Sequence, residues 1–372
     1  MAAGDALFKV VRYIGMAALP DAYSDLFAAA NSVFLTEPWF RNFAATVAQD
    51  DGKLCFYGVE QAVSGRPVAV LPLWSLPGGR LSPRRLHGLA NYYSARFGLV
   101  GAAGCDLESV CFALAGALWR DRGCWDIVDM KPVDRQSSWF GPLERALRAA
   151  GAVTETYFCH GNWVLKVAGR SYAEYLAGLG SVLRKNIPYN TRRLERSGGR
   201  VELITGGGPE LERAIEHYER VYRASWKVPE PYPGFMPGLI RTAAQQGWLR
   251  MGLASVDNEP AAAQVWLVHR DTASIFKIAY DERFAKLSAG TVLTAHLMNH
   301  VLTVDRVSIV DYLSGDDDYK RAWMSERRER HGLMAINPRS VRGAVQLARH
   351  FGGALRRRVL QARTASAEAL EK

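Results

Sequence analysis

Two spacings of apolar residues alternate along the chain, and they set the expected elements. Ala6–Ile14 reads as a strand, and Pro38–Val47 carries helical spacing. Leu54–Glu60 and Pro67–Leu76 are apolar, β-rich runs either side of Ser64-Gly65, the pattern of a hairpin. Glu108–Arg122 is helical, with Cys111, Leu114 and Leu118 on one stripe. Trp125–Met130 is a short strand that Pro132 ends. Phe140–Ala150 is a helix with Gly151 as its C′ residue, and Tyr157–Val167 returns as a strand.

A second series follows. Tyr172–Gly199 is mainly helical and strongly basic, with Asn186 as a cap and Pro188 in the first turn that follows it. Arg200–Ile204 is a strand, and Gly206-Gly207-Gly208-Pro209 is a break. Glu210–Trp226 is an amphipathic helix with Leu211, Ile215, Tyr218 and Tyr222 inward. The Pro-rich stretch Lys227–Gly238 is a loop, either a wall of an acceptor pocket or a long connection, and Leu239–Gln246 is a helix. Trp248–Val256 and Ala261–His269 flank the turn Asp257-Asn258-Glu259-Pro260, and Thr272–Tyr280 is a further strand. Gly290–Val304 is a helix, Val307–Leu313 a strand, Tyr319–Arg327 a short helix and Gly332–Ile336 a last strand.

Both halves thus read as helices on a mostly antiparallel sheet, with a crossover helix before a late strand. The expected class is α+β, an α/β sandwich of two twisted sheets flanked by helices. No sequence repeat is visible, so any duplication is old. Gly169-Arg170-Ser171 marks the expected boundary, giving domains 1–168 and 169–338 and a basic tail 339–372.

The 372 residues suit two domains, and 48% hydrophobic with 23% charged residues excludes a disordered or fibrous chain. The net charge of +10 suits an anionic partner such as a phosphorylated cofactor, nucleic acid or a membrane surface. Cys55, Cys105, Cys111, Cys124 and Cys159 are odd in number and contain no Cys-x-x-Cys, which argues against a disulfide framework or zinc ribbon and for a reducing cytosol. No stretch reaches the length of a membrane span, and the short run Tyr13–Leu19 after Lys9 and Arg12 reads as strand and turn rather than signal peptide. A cytoplasmic protein is expected, and nothing in the pattern assigns an oligomeric state.

The chemistry concentrates between Phe276 and Trp323. A strand ends at Tyr280-Asp281, and a loop passes through Leu287-Ser288-Ala289-Gly290-Thr291 into a helix. Ser288 can cap that helix, and the small Ala289 and Gly290 let backbone N–H groups approach an anion at the positive end of the helix dipole. Alone, the same loop reads as an ordinary capped helix start. Asp316-Asp317-Asp318 suits a helix N-terminus better than magnesium. His296 and His300 stand at metal-ligand spacing without a third ligand, so packing is the preferred reading and no metal is assigned. Lys185, Arg192, Arg193, Arg196 and Arg200 form a basic run that reads either as a phosphate-binding surface or as a solvated face.

Tyr280-Asp281, Leu287-Ser288-Ala289-Gly290, Asp311-Tyr312-Leu313-Ser314-Gly315-Asp316 and Tyr319-Lys320-x-x-Trp323 resemble the GNAT-fold acetyltransferases of the CelD-like, cellulose-biosynthesis-associated group. That group is similar to the Fem-type aminoacyltransferases that build peptidoglycan cross-bridges. Arg184-Lys185-Asn186-Ile187, Arg192-Arg193-Leu194 and Gly198 resemble its basic helix, Ser225-Trp226 its aromatic pair, and Leu71-Pro72-Leu73 its first-domain hairpin. The likeness spans roughly residues 5–337 and implies tandem GNAT-like domains.

It also implies acyl transfer, with acetyl as the expected group, from acyl-CoA to an amine acceptor, either a small molecule or a carrier-linked polysaccharide or cell-envelope precursor. Ser288, Ala289, Gly290 and Thr291 would hold the pyrophosphate of coenzyme A; of the usual Arg/Gln-x-x-Gly-x-Gly/Ala loop, only Gly290 and its small neighbours match. Acyl transfer to an amine needs a proton acceptor and a proton for the leaving group. Asp311 at a strand end suits the first role, or caps a turn. Tyr319 suits the second, or is a packed aromatic. Lys320 would pair with phosphate or carboxylate, or be a solvated lysine; the Fem-type lysine at that place is linked to donor binding. Lys185, Trp226, Lys277, Tyr280, Asp316 and Tyr92 are the expected substrate contacts, Tyr92 as part of Asn91-Tyr92-Tyr93 in the first domain. Two alternatives stand beside this one: a Fem-like transferase with aminoacyl-tRNA as donor, and a catalytically silent scaffold for an envelope-synthesis complex. The tail, with Val341, Val345, Ala348 and Leu355 among Arg342, Arg349, Arg356, Arg357 and Arg358, reads as a peripheral membrane helix or as a packed or free tail, weakened as a helix by Gly343, Gly352 and Gly353.

Overall fold

The structure, a computed structural model, describes residues 7–48, 53–80 and 82–349. In chain order the elements are β1 (Phe8–Ile14), α1 (Ser24–Ala28), α2 (Glu37–Thr46), β2 (Lys53–Gln61), β3 (Pro67–Leu76), β4 (Arg85–Gly88), β5 (Val100–Gly101), α3 (Leu107–Arg120), β6 (Ile127–Val133), α4 (Phe140–Ala150) and β7 (Val153–Lys166). Then come α5 (Tyr172–Gly178), α6 (Ser181–Arg196), β8 (Gly199–Ile204), α7 (Pro209–Arg223), α8 (Phe235–Gln245), β9 (Leu249–Val256), β10 (Glu259–His269), β11 (Thr272–Tyr280), α9 (Ala289–Thr303), β12 (Ile309–Ser314), α10 (Asp318–Arg321) and β13 (Glu326–Ile336).

These elements gather into two compact units, one of Met1–Ala29, Asp50–Phe158 and His331–Lys372, the other of Ala30–Gln49 and Cys159–Arg330. The division runs inside β7 and β13 rather than through a single linker at 169–171, and α2 is grouped with the second unit.

The first unit has the strand order β1-β2-β3-β4-β6-β13, with β5 beside β3. Its ladders are antiparallel except β4 with β6, which run parallel across the crossover helix α3. Its core joins Leu71 and Leu73 of the sheet to Leu114 and Leu118 of α3, Leu143 of α4 and the buried Trp125. The second unit has the order β7-β12-β11-β10-β9-β8, antiparallel except β11 with β12, which are parallel across α9. Its core packs Leu293, Leu297 and Val301 of α9 on Trp266, Ala262 and Val310 of the sheet. The expected plan of helices on a twisted, mostly antiparallel sheet with a crossover helix before a late strand is what the chain adopts.

The two parallel pairs reveal a correspondence not seen in the sequence. Arg85, Leu86 and His87 face Ile127, Val128 and Asp129, while Thr272, Ala273 and Ser274 face Ile309, Val310 and Asp311. Ile-Val-Asp thus occupies the same three register positions in both units. Three residues without their ladder are too few to detect.

Several expected boundaries move. β6 continues to Val133, because Pro132 lies where the register with β13 shifts, a place that asks no ladder donor of it. The Tyr172–Gly199 run breaks at Leu179-Gly180, and α6 starts at Ser181 with no side-chain cap, so Asn186 caps nothing and Pro188 sits inside the helix. Burial of Ile187, Asn190 and Leu194 outweighs the lost backbone bond. α8 begins at Phe235, shortening the Pro-rich loop. The helix expected over Tyr319–Arg327 stops at Arg321, and Glu326 and Arg327 belong to β13. A helix over 341–349 includes Val341 and Val345. Ala6 and the tail residues Gly352, Gly353, Leu355, Arg356, Arg357 and Arg358 lie outside the described residues. Among the described residues no helix is long and apolar enough to cross a membrane.

Candidate active site

The second unit holds a break in its parallel ladder. β11 runs on to Tyr280 and β12 to Ser314, but the ladder between them stops at Ser274 and Asp311. Beyond that pair both strand edges are released from each other. The kink in β12 has a local cause. Leu313 takes a left-handed backbone (φ 57), which costs a non-glycine residue about 1–2 kcal/mol. Asp311 holds it, because Oδ1 accepts the Leu313 N–H at 2.7 Å. The β7 ladder shifts register across the same step, between Asp311 and Ser314.

A chain of polar groups fixes Asp311. The guanidinium of Arg330, 4% exposed, donates to Asn162 Oδ1 at 3.0 Å. Asn162 Nδ2 in turn donates to Asp311 Oδ1 at 2.6 Å and to the Leu313 carbonyl at 3.0 Å. Among the described residues Asp311 Oδ2 receives no hydrogen bond. One oxygen of Asp311 therefore caps a turn, and the other stays open. His160 stands near the same charges. Burial, reinforced by Arg330 and Lys320, pushes its pKa down, so it is neutral, and its buried Nε2 has no hydrogen-bond partner among the described residues. Neither Asn162, Arg330 nor His160 is identifiable from the sequence; a polar residue in a strand becomes informative only once its buried partner is known.

Lys320 is buried, contrary to the solvated reading. Its ammonium donates to the Ser314 carbonyl and lies 3.3 Å from Asp317. Burial pushes its pKa down against the pull of Asp317. A Cβ at Gly315, where φ is 116, would stand 2.5 Å from that nitrogen, so the glycine provides both the backbone turn and the room for the lysine. Tyr319 is half-exposed and packs edge-on against Tyr312 at 5.6 Å. Desolvation of its phenol and the Asp317 charge push its pKa up to about 12, so it stays protonated at neutral pH. Asp316 is held by Arg327 at 2.7 Å and packs over Gly161, so a substrate would have to compete with that guanidinium.

The released edge of β11 carries Lys277 and Tyr280. Lys277 pairs with Glu230 of the Pro-rich loop at 2.7 Å, and the Tyr280 ring lies tilted against Trp226, centroids 4.6 Å apart. Lys185 is exposed on α6 and takes no part in these contacts. Tyr92 belongs to the first unit, where its ring lies 4.1 Å from Tyr93.

After β11 a 3-10 turn (Glu282–Leu287) leads into α9. Ser288 does not cap by its hydroxyl; its backbone is left-handed (φ 53) and its carbonyl instead accepts the N–H groups of Thr291 and Val292. That leaves the N–H groups of Ala289 and Gly290 without a backbone acceptor among the described residues. A Cβ at Gly290 would meet nothing nearer than Tyr280 at 3.9 Å, so its surroundings are open, and Gln264, buried in β10, fixes the turn by donating to the Gly290 carbonyl at 2.9 Å. Two free donors at a helix N-terminus over an open glycine fit a phosphate group. The same connection borders a cavity of about 350 Å³ lined by Arg220, Arg223, Asp281 and Arg283.

The two histidines of α9 take other roles. His300 lies 3.7 Å from Asp305, a carboxylate that Arg250 also holds, and His296 lines a cavity of about 390 Å³ with Tyr172, Ile187 and Leu194. Among the described residues no three His, Cys, Asp or Glu side chains are placed to share a metal ion.

Residues 181–321 match a family model described as an acetyltransferase (GNAT) domain. The match is to GNAT domains at large and does not single out the CelD-like group. The fold is similar to the crystal structure of FemX, at 10% identity and a TM-score of 0.61, over 85% of this chain and 95% of that one. It is similar to the C-terminal domain of a putative lysylphosphatidylglycerol synthetase from Agrobacterium fabrum, at 13% identity and a TM-score of 0.54, over 88% and 94%. A tandem GNAT protein from the clavulanic acid biosynthesis pathway aligns at 14% identity and a TM-score of 0.51, over 89% and 100%. At these identities the likeness is one of fold. No curated protein matches the chain in sequence.

Proposed function

We propose that the second unit is an N-acyltransferase that moves an acyl group from acyl-CoA to an amine acceptor at the released edges of β11 and β12. The observation that carries this reading is the pairing of a broken parallel ladder with two unsatisfied N–H donors at the start of the adjoining helix. Ala289 and Gly290 would hold the pyrophosphate of the donor, whose thioester supplies the activated acyl group. Asp311, fixed by Asn162 and Arg330, presents Oδ2 as proton acceptor toward the amine, directly or through water. Tyr319, protonated at neutral pH, supplies the proton that the leaving thiolate requires. Lys320 acts as a positioning residue, because its ammonium is spent on the Ser314 carbonyl and Asp317.

A second reading, aminoacyl-tRNA as donor, is favoured by the exposed basic face of α6, with Arg184, Lys185, Arg192, Arg193 and Arg196. Calorimetry with acetyl-CoA separates the two. The first reading expects saturable binding that Gly290→Glu abolishes by placing a carboxylate at the phosphate position. Absence of binding, or binding indifferent to Gly290→Glu, contradicts it, and ribonuclease-sensitive turnover favours the second.

A further inference from the structure

The released edge of β11 is lined by more positive charge than acyl transfer to a plain amine requires. Tyr222, in the last turn of α7, is a ring flanked by two ammonium groups, Lys227 Nζ and Lys277 Nζ, each 6.0 Å from its centroid. Lys227 also lies 5.6 Å from the Trp226 ring, which packs tilted against Tyr280. Lys277 is 16% exposed and is paired with Glu230, 11% exposed. Lys227 has no carboxylate within ion-pair distance among the described residues, and the charges it faces are Lys277, Glu230 and Lys320. Lys320, 5.7 Å from the Tyr312 ring, is answered by Asp317 and also faces Asp311 and Asp316, so it adds no surplus charge.

Among the described residues, the two ammonium groups beside Tyr222 therefore stand against one carboxylate, that of Glu230. A surplus cation in such surroundings is costly unless an anion joins it. Burial and the neighbouring lysines push the pKa of Lys227 down to about 8.

We propose that Lys227 and Lys277 with Tyr222 form an anion-binding subsite that recognises a carboxylate or phosphate on the acceptor, so that the acceptor class is an acidic amine rather than a neutral or polycationic one. This deepens the reading of the same edge as the transfer site and rests on it for the identity of the acceptor, though not for the binding of the anion. The aromatic rings supply a surface for the apolar part of the ligand, and Lys277–Glu230 sets the orientation of the neighbouring ammonium.

The test is competitive labelling of lysines with trace acetic anhydride, read by mass spectrometry on the full chain. It is run alone, with inorganic phosphate, with succinate, and with each anion after saturation by coenzyme A. An opposite charge within about 4–6 Å favours the ammonium strongly enough that labelling of Lys227 at pH 8 should fall about fivefold or more with phosphate or succinate. Labelling of the exposed Lys9 should stay constant, and Lys277→Met should remove most of the effect while leaving the circular dichroism spectrum unchanged. The proposal is overturned if neither anion protects Lys227, if Lys9 is protected equally, or if coenzyme A alone gives the full protection, since the anion would then belong to the donor. Failure of coenzyme A to bind, with anion protection intact, would remove the acyltransferase reading and leave the subsite standing.

Discussion

Asp129 and Asp311 occupy the same place in the two units, each ending an Ile-Val-Asp run at the last pair of a parallel ladder. Their surroundings part there. Asp129 is 2% exposed; its Oδ1 accepts the Tyr157 hydroxyl at 2.5 Å, and His87 and Lys131 stand at 3.6 and 3.7 Å from Oδ2. Asp311 keeps one oxygen open at a kinked strand. β4 stops one residue past its last pair, and residues 89–106 intervene before α3. β11 instead carries Lys277 and Tyr280 past the last pair and leads by one short turn into the N-terminus of α9. The same carboxylate is thus a buried structural partner in one unit and keeps one oxygen open in the other, where we propose it as proton acceptor, and the continuation of the neighbouring strand sets the difference.

Substituting the two carboxylates in parallel tests this most strongly. Asp311→Asn should lower turnover about 10²–10⁴-fold, the usual worth of a positioned general base, with little change in thermal stability. Asp129→Asn should leave turnover per folded molecule unchanged and cost about 1–3 kcal/mol in denaturant unfolding. Equal losses of turnover at both positions would erase the distinction.

Next comes the support behind Asp311. Asn162→Ala leaves the buried Arg330 guanidinium and the Leu313 carbonyl without their amide, for an expected loss of about 3 kcal/mol. It should also lower kcat with KM little altered, which a purely structural role would not do.

The acid limb sharpens the comparison from the first unit. Burial raises the pKa of Asp126, but the hydrogen bonds from Arg84 outweigh it and hold the carboxyl down at about 2. A depressed carboxylate contributes stability above its unfolded value near 3.8, and that contribution is lost as pH falls through about 2. Wild type should therefore lose about 2 kcal/mol across that window, and Asp126→Asn should flatten the slope.

The smallest expected effects come from two glycines. Gly315→Ala forces a side chain into φ 116 and against Lys320, for about 1–3 kcal/mol and a reduced rate. Gly332→Ala meets the Tyr157 ring that holds Asp129, for a comparable stability loss with the rate per folded molecule unchanged.

Much of the fold was legible in the sequence because apolar spacing dictates it. Pro67–Leu76, Phe140–Ala150 and Thr272–Tyr280 begin and end where the pattern puts them. β13 was misread at its start because Glu326–Arg330 is all charge; its alternation shows only through burial, with Arg330 inside against Asn162. The residues Asp311, Tyr319 and Lys320 were legible as a motif, and the structure brings them together on one strand end and its following turn. That Lys320 is buried was not, since nothing local records that Gly315 makes room for it. Asn162 and His160 come from β7, far away in sequence, and Arg330 from β13, and only the sheet order assembles them with Asp311.

Hydrogen–deuterium exchange with and without acetyl-CoA asks directly which strand end receives the donor. Protection should appear in residues 281–292 and 309–316 and leave 85–106 and 127–133 unchanged. Protection centred on 85–106 and 127–133, or none in 281–292, would contradict the assignment of transfer to the second unit.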